Sequence, residues 1–188
     1  MGIPDNQDLV ILRENYPFTN GMTEQPERIE LSDRVEYRLN GILHRLDGPA
    51  REWADERGKE WWVDGKRHRL DGPAMEWASG TKQWYVDGKC HRLDGPAIER
   101  ADVAKTWYVD GKLHRLDGPA IEWANGTKEW WVNGKRHRLD GPAVDCVDGL
   151  KGWFFDEKHV YKSDVDNLRL KTLTLSFVVN RRIWNKLR

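Results

Sequence analysis

The heptapeptide His-Arg-Leu-Asp-Gly-Pro-Ala occurs five times in this chain, starting at His44, His68, His91, His114 and His137. Five intact copies do not arise by chance in 188 residues. The chain is therefore a tandem repeat, and its units must bury their apolar surface against one another rather than around one thick core. The spacings are 24, 23, 23 and 23 residues, and the full unit reads roughly H-R-L-D-G-P-A-x-E-W-A-x-G-T-K-x-W-W/Y-V-D/N-G-K-x. The one extra residue falls in a turn around Asp55 to Gly58, where insertions are tolerated.

Three turn signals punctuate each unit. Asp64-Gly65, Asp87-Gly88, Asp110-Gly111 and Asn133-Gly134 follow the aromatic pair and predict type I′ hairpins, in which both central residues take positive φ. Ser79-Gly80 and Asn125-Gly126 predict a second tight hairpin. Asp-Gly-Pro predicts a bend or bulge inside a longer strand. A two-residue turn at Ser79-Gly80 would pair Trp77 with Lys82 and Met75 with Trp84. The turn at Asp87-Gly88 would pair Trp84 with His91. One face would then collect Met75, Trp77, Trp84 and His91, and the other Ala74, Glu76, Tyr85, Cys90 and Arg92. Each adjacent aromatic pair sends one ring to each face. The expected fold is all-β: an elongated, twisted antiparallel meander of hairpin repeats, about two strands per unit. Equivalent rings would lie ~10 Å apart, out of direct contact.

The expected organisation is a non-repeat segment over 1–33, the repeat array over 34–158 and a small cap over 159–188. Val35 to Gly41 is a partial first copy. The last copy decays, with Cys146 for Trp, Glu157 for the turn glycine and Val160 for His, as terminal capping units do. Ser163-Asp164-Val165-Asp166 can start a helix, although Leu173, Leu175, Phe177 and Val179 also alternate as a strand would.

Hydrophobic content of only 38% beside 33% charged residues and 11 Trp argues for thin layers held by large flat side chains. A formal net charge of zero weighs against a nucleic-acid partner. No apolar run reaches 18 residues, so no membrane span is expected. The N-terminal residues do not read as a signal peptide, and Asn6 stands where a myristoylation signal needs Ser or Thr. Cys90 and Cys146 sit in different columns two repeats apart, roughly 20 Å at two strands per repeat. They are expected to be reduced, which fits a cytoplasmic setting.

No catalytic constellation stands out, because any base or nucleophile of the unit recurs in near-identical settings, whereas an active site needs one unique pocket. Neither a cofactor nor a metal is expected, since equivalent histidines stand too far apart to share an ion. The candidate binding residues are the second-aromatic column, Trp62, Tyr85, Tyr108 and Trp131, beside the arginine column Arg69, Arg92, Arg115 and Arg138. Rings next to guanidinium groups suit an anionic, nucleotide-like ligand. The arginines are equally suited to ion pairs with Glu52, Glu76, Glu99 and Glu122, and the histidines to packing on Trp rings across the hairpin.

Trp84-Tyr85-Val86-Asp87-Gly88-Lys89-Cys90-His91, with the positions typified by Trp77 and Gly80, resembles the MORN repeat. The resemblance covers about residues 35 to 158. It departs where Arg-Leu-Asp-Gly-Pro-Ala replaces the Gly-x-Gly of MORN units. The same strings resemble runs in proteins of bacteriophages and large DNA viruses. What the resemblance implies is a non-enzymatic scaffold or binding surface, MORN arrays being associated with lipid or protein partners. The expected function is a scaffold that binds a partner protein, plausibly a viral protein blocking a host factor in the host cytoplasm. The alternatives are a sponge for a small anionic ligand and a homo-oligomer joined through sheet edges.

Overall fold

The computed structural model describes residues 25–163. The proposed cap therefore lies largely outside the described residues, and with it the choice between helix and strand for 164–188. The chain divides into two units, Met1–Lys89 and Cys90–Arg188. All described strands of both are short and antiparallel, so the all-β hairpin meander is observed.

The first unit runs β1 (Glu27–Glu30), β2 (Arg34–Leu39), β3 (Ile42–Leu43), β4 (Arg51–Trp53), β5 (Gly58–Glu60), β6 (Trp62–Val63), β7 (Lys66–Arg67), β8 (Met75–Trp77), β9 (Lys82–Gln83) and β10 (Tyr85–Val86), with β11 (Lys89–Cys90) at its end. Its main sheet has the order β1-β2-β4-β5-β8-β9, with β3 also paired to β2. The second unit runs β12 (Ile98–Arg100), β13 (Ala104–Thr106), β14 (Tyr108–Val109), β15 (Lys112–Leu113), β16 (Ile121–Trp123), β17 (Lys128–Glu129), β18 (Trp131–Val132), β19 (Lys135–Arg136), β20 (Val144–Asp145), β21 (Lys151–Gly152), β22 (Phe154–Phe155) and β23 (Lys158–His159). Its main sheet has the order β12-β13-β16-β17-β20-β21. Each repeat thus supplies four short strands rather than two. Two enter the main sheet and two form a separate hairpin: β6–β7 in the first unit, β14–β15, β18–β19 and β22–β23 in the second.

The Asp-Gly turns have the expected geometry. Asp64 and Gly65 have φ of 48° and 71°, and Asn133 and Gly134 of 53° and 78°. Even Asp156 and Glu157, at 50° and 70°, keep the turn without its glycine. There the Glu157 carboxylate accepts bonds from the Arg136 backbone N–H and guanidinium at 2.7 and 3.1 Å. The predicted register at this turn also holds. His68 N–H donates to Trp61 O, and Trp62 opposes Arg67.

The second turn differs from expectation by one residue. Met75 opposes Gln83, Glu76 opposes Lys82, and Trp77 N–H donates to Thr81 O. The connection is the three-residue type, Ala78–Ser79–Gly80, closed by Gly80 at φ 81°. Because side chains alternate with a period of two, this slip moves Trp84 away from Met75 and Trp77. Gln83 takes its place and, two residues on, Tyr85, whose hydroxyl donates to Gln83 Oε1 at 3.0 Å.

The register also explains the neutral composition. In the first unit Glu52 faces Lys59, Lys59 faces Glu76 and Glu76 faces Lys82. In the second, Glu99, Lys105, Glu122, Lys128, Asp145 and Lys151 alternate in the same way. Opposite charges directly across a ladder stabilise by ~0.2–1 kcal/mol a pair.

The apolar core is thin. The heptapeptide alanines Ala50, Ala74, Ala97, Ala120 and Ala143 are fully buried. Each of Ala50, Ala74, Ala120 and Ala143 accepts the N–H of a first aromatic: Tyr37, Trp61, Trp107 and Trp130 respectively. The Trp53 and Trp77 ring centroids are only 4.9 Å apart, against the expectation that equivalent rings do not meet. Gly58 lies opposite Trp77, and its missing side chain lets that ring lie across the strand: a Cβ there would be 2.7 Å from Trp77 Cε3. Both cysteines are free, and burial pushes the Cys90 thiol up to about 12.

The largest fully buried side chains among the described residues are two glutamates, Glu36 and Glu60. Arg51 occupies the column that Met75 fills in the next copy and bonds both, at 3.0 Å to Glu36 and 3.1 Å to Glu60. Arg34 and Arg38 complete the shell of Glu36, and Arg67 and the Trp62 indole that of Glu60. Burial alone would push the Glu36 carboxyl up. The bonds from Arg34, Arg38 and Arg51 outweigh it and hold the group at about 2, below its ordinary 4.5. A depressed folded-state pKa contributes stability above pH 4.5 that is lost as pH falls toward 2. The contribution is roughly 3 kcal/mol. Urea titrations from pH 6 to 2 are expected to show a steep acid loss, and Glu36→Gln to be less stable at pH 6 with a flatter pH dependence. An unchanged slope in the variant would refute this assignment.

Candidate functional site

The heptapeptide's arginine organises the loop that follows it. Arg115 Nε donates to Asp117 at 2.9 Å, and its Nη1 donates to Pro119 O at 3.2 Å and to Glu122 at 3.0 Å. Its guanidinium lies 4.0 Å from the Trp107 ring centroid. Arg69 repeats this with Asp71, Pro73 O, Glu76 and Trp61. Arg92 bonds Asp94, Pro96 O and Glu99. Arg138 bonds Asp140 and Pro142 O over Trp130. In the partial first copy Arg45 covers Tyr37. The expected Arg–Glu ion pairs are therefore present at Arg69, Arg92 and Arg115, but within one loop and its following strand.

Consequently the guanidiniums of Arg69, Arg115 and Arg138 sit on the first aromatics Trp61, Trp107 and Trp130. The second aromatics, Trp62, Tyr85, Tyr108 and Trp131, are all half-buried and have other neighbours. Trp62 bonds Glu60 and lies 4.8 Å from Arg67, which also approaches Tyr85 at 5.6 Å. Trp131 bonds Glu129 at 3.1 Å and lies 4.7 Å from Arg136. Burial raises the Tyr108 phenol above its ordinary range. The physical reason for these different neighbours is that the chain leaves the Asp-Gly hairpin after the histidine: Arg69 N–H donates to Tyr85 O and Arg115 N–H to Trp131 O, while each guanidinium turns onto the preceding first aromatic. An anionic ligand also finds Arg69, Arg92 and Arg115 each already bonded to two carboxylates.

The histidines cap turns rather than only packing on rings. His44 Nδ1 lies 3.2 Å from the Asp64 N–H and 2.7 Å from its carboxylate. His68 with Asp87, His91 with Asp110 and His114 with Asn133 repeat the contact at 3.0 Å. Each imidazole pins the next type I′ turn, 19 or 20 residues on. The last, His137, also rests against Phe155, with ring centroids 4.7 Å apart.

The heptapeptide leucine was not singled out from the sequence, yet it is exposed in the first four copies, whereas Leu139 of the fifth is half-buried. Leu46 and Leu70 are 68% and 50% exposed in the first unit, and Leu93 and Leu116 are each 80% exposed in the second. A leucine at the tip of an Asp-Gly-Pro loop, repeated in every copy, was the available signal. In the second unit the loops at Leu93 and Leu116 border a cleft of about 610 Å³, whose lining combines Leu93, Val109 and Leu116 with Trp107 and the charged pairs Arg92–Asp94 and Arg115–Asp117. No group of three or more His, Cys, Asp or Glu able to hold a metal is found among the described residues. No described helix is long and apolar enough to cross a membrane.

No protein-family model matches the sequence, and no curated protein matches it.

The clamp also explains the heptapeptide glycine. A Cβ on Gly118 would lie 2.8 Å from Arg115 Cζ, and the same clash recurs at Gly72, Gly95 and Gly141. Three bonded partners and a Trp ring hold this guanidinium, so it cannot swing aside without losing them. Gly118→Ala is expected to lower unfolding stability by about 1–3 kcal/mol in urea. An unchanged midpoint would show that the clamp is dispensable.

Proposed function

We propose that this chain is a non-catalytic repeat scaffold that holds a partner protein on its Leu-Asp-Gly-Pro loops. The observation that carries the reading is the pairing of exposure with rigidity. Leu93 and Leu116 stand in water on loops whose backbone is tied down by Arg92 and Arg115. Presenting apolar groups on pre-ordered backbone removes most of the ordering cost of binding, and repeated apolar contacts of this kind mark interaction surfaces. The MORN resemblance supports the same reading. The resemblance to phage and large-virus proteins makes the partner a host factor that the loops occlude in the host cytoplasm. The sponge for an anionic ligand is the weaker alternative, because its arginines are already committed to carboxylates.

Selection of a random peptide library on the full chain is expected to enrich binders that Leu93→Ser/Leu116→Ser no longer retains. A parallel thermal-shift panel of nucleotides is expected to leave the melting temperature unchanged. Peptides held equally by the serine variant, or a nucleotide that raises the melting temperature, would overturn the proposal.

A further inference from the structure

The cleft in the second unit has chemistry specific enough to name its occupant. Its aliphatic lining is Leu93 and Leu116, from successive loops, with Pro96 and Val109, and it is completed by Trp107, His114 and the guanidinium-bearing Arg92 and Arg115. Its rim is charged, and the two signs are not equally presented. The Asp94 and Asp117 side chains are 83% exposed, whereas Arg92 and Arg115, which bond them, are only 21% exposed. The guanidiniums face inward over the aromatic layer, as Arg115 does over Trp107. They are tied there to the Pro96 and Pro119 carbonyls and to Glu99 and Glu122. A molecule approaching the loop tips therefore meets carboxylates and leucines first.

The Arg92 bond holds the Asp94 carboxyl below its usual range, and the Arg115 bond does the same for Asp117. Both remain anionic across the neutral range. Each has a single guanidinium bonding one oxygen, Oδ1, through Nε. A carboxylate offers about four acceptor positions, so its outward side retains capacity for a cation.

We propose that this cleft binds an extended protein segment in which aliphatic and basic residues alternate. An aliphatic side chain enters between Leu93 and Leu116, and neighbouring Lys or Arg side chains reach Asp94 and Asp117. The inference rests on the scaffold reading above and adds to it the character of the partner. Alternation follows from the site itself, because leucine and aspartate are adjacent in each loop and the pattern repeats in the next. A basic flank adds steering and specificity more than affinity, so binding is expected to weaken with salt.

The test uses three labelled nine-residue peptides and fluorescence anisotropy on the full chain. One carries leucines among lysines, one has glutamates for the lysines, and one has serines for the leucines. The leucine–lysine peptide is expected to bind about tenfold or more tighter than the other two. Leu93→Ser/Leu116→Ser should abolish that preference. Asp94→Asn/Asp117→Asn could also loosen the loops, so the glutamate peptide serves as the second readout. Loss of the carboxylates should weaken the lysine peptide and strengthen the glutamate peptide, whereas a collapsed loop weakens both. Asp94→Glu/Asp117→Glu should restore the lysine preference.

Equal binding of lysine and glutamate peptides by the wild type would overturn the inference while leaving the scaffold reading intact. So would an asparagine variant that weakens both peptides alike. If none of the leucine peptides depends on Leu93 and Leu116, both fail. Concentration-dependent self-association in light scattering, abolished by Leu93→Ser/Leu116→Ser, would assign the cleft to a second copy of the chain and also overturn the inference.

Discussion

A guanidinium lying on an aromatic ring is the contact on which the rest of this molecule depends. In Arg69 and Arg115 the same side chain covers an indole, bridges an aspartate and a glutamate, and binds the carbonyl of the proline between them. The glycine exists to let it pass, and the proline leaves an accepting carbonyl without adding a donor. The alanine fills the space behind and accepts an aromatic N–H. Six of the seven heptapeptide residues are explained by building and closing this loop, with the histidine pinning the next turn. The leucine is the one residue that none of these contacts uses. That asymmetry is why the outward-facing leucines, rather than the arginines, carry the functional reading.

The clamp is polar, and so is much of what surrounds it. A thin repeat cannot bury large apolar area, and here fully buried alanines are the smallest possible apolar filler. Charge pairing takes over part of the work. Alternating Glu and Lys cross the main sheet of each unit, and in the first copies Arg51 stands in an otherwise apolar column to join Glu36 and Glu60. Buried ion pairs lose solvation that their attraction only partly returns. Their value here lies in satisfying every buried carboxylate oxygen from several arginines at once.

Legibility in the sequence followed how local each determinant is. The type I′ turns were readable because Asp-Gly and Asn-Gly name the backbone they need, and the flanking register followed from them. Ser79-Gly80 was misread because a glycine at positive φ serves two-residue and three-residue hairpins alike, and only the tertiary pairing separates them. That single residue reassigned Trp84 relative to Met75 and Trp77. The Trp53–Trp77 contact was hidden for a related reason: strand spacing fixes backbones, whereas an indole reaches across a gap that Gly58 leaves open. Glu36 and Glu60 gave no sign of burial because their partners, Arg34 to Arg67, come from several strands. The histidine caps span about one repeat, a distance over which periodicity shows equivalence but not contact.

The Glu–Lys rows have a further consequence for how such a chain changes length. Each strand presents a carboxylate or an ammonium to its neighbour in strict alternation, and one repeat contributes one of each. Inserting or deleting a whole unit therefore leaves every ladder matched. Among the described residues the ladders themselves do not specify how many copies there should be. The pattern is broken, among the described residues, by Arg51 with its two buried glutamates in one unit, and in the other by Arg100 and Val103 in place of Trp and the turn glycine and by the glycine-less Asp156-Glu157 turn. A chain built this way can be lengthened or shortened by unequal recombination without first passing through an unstable intermediate. Its set of heptapeptide loops can change one step at a time.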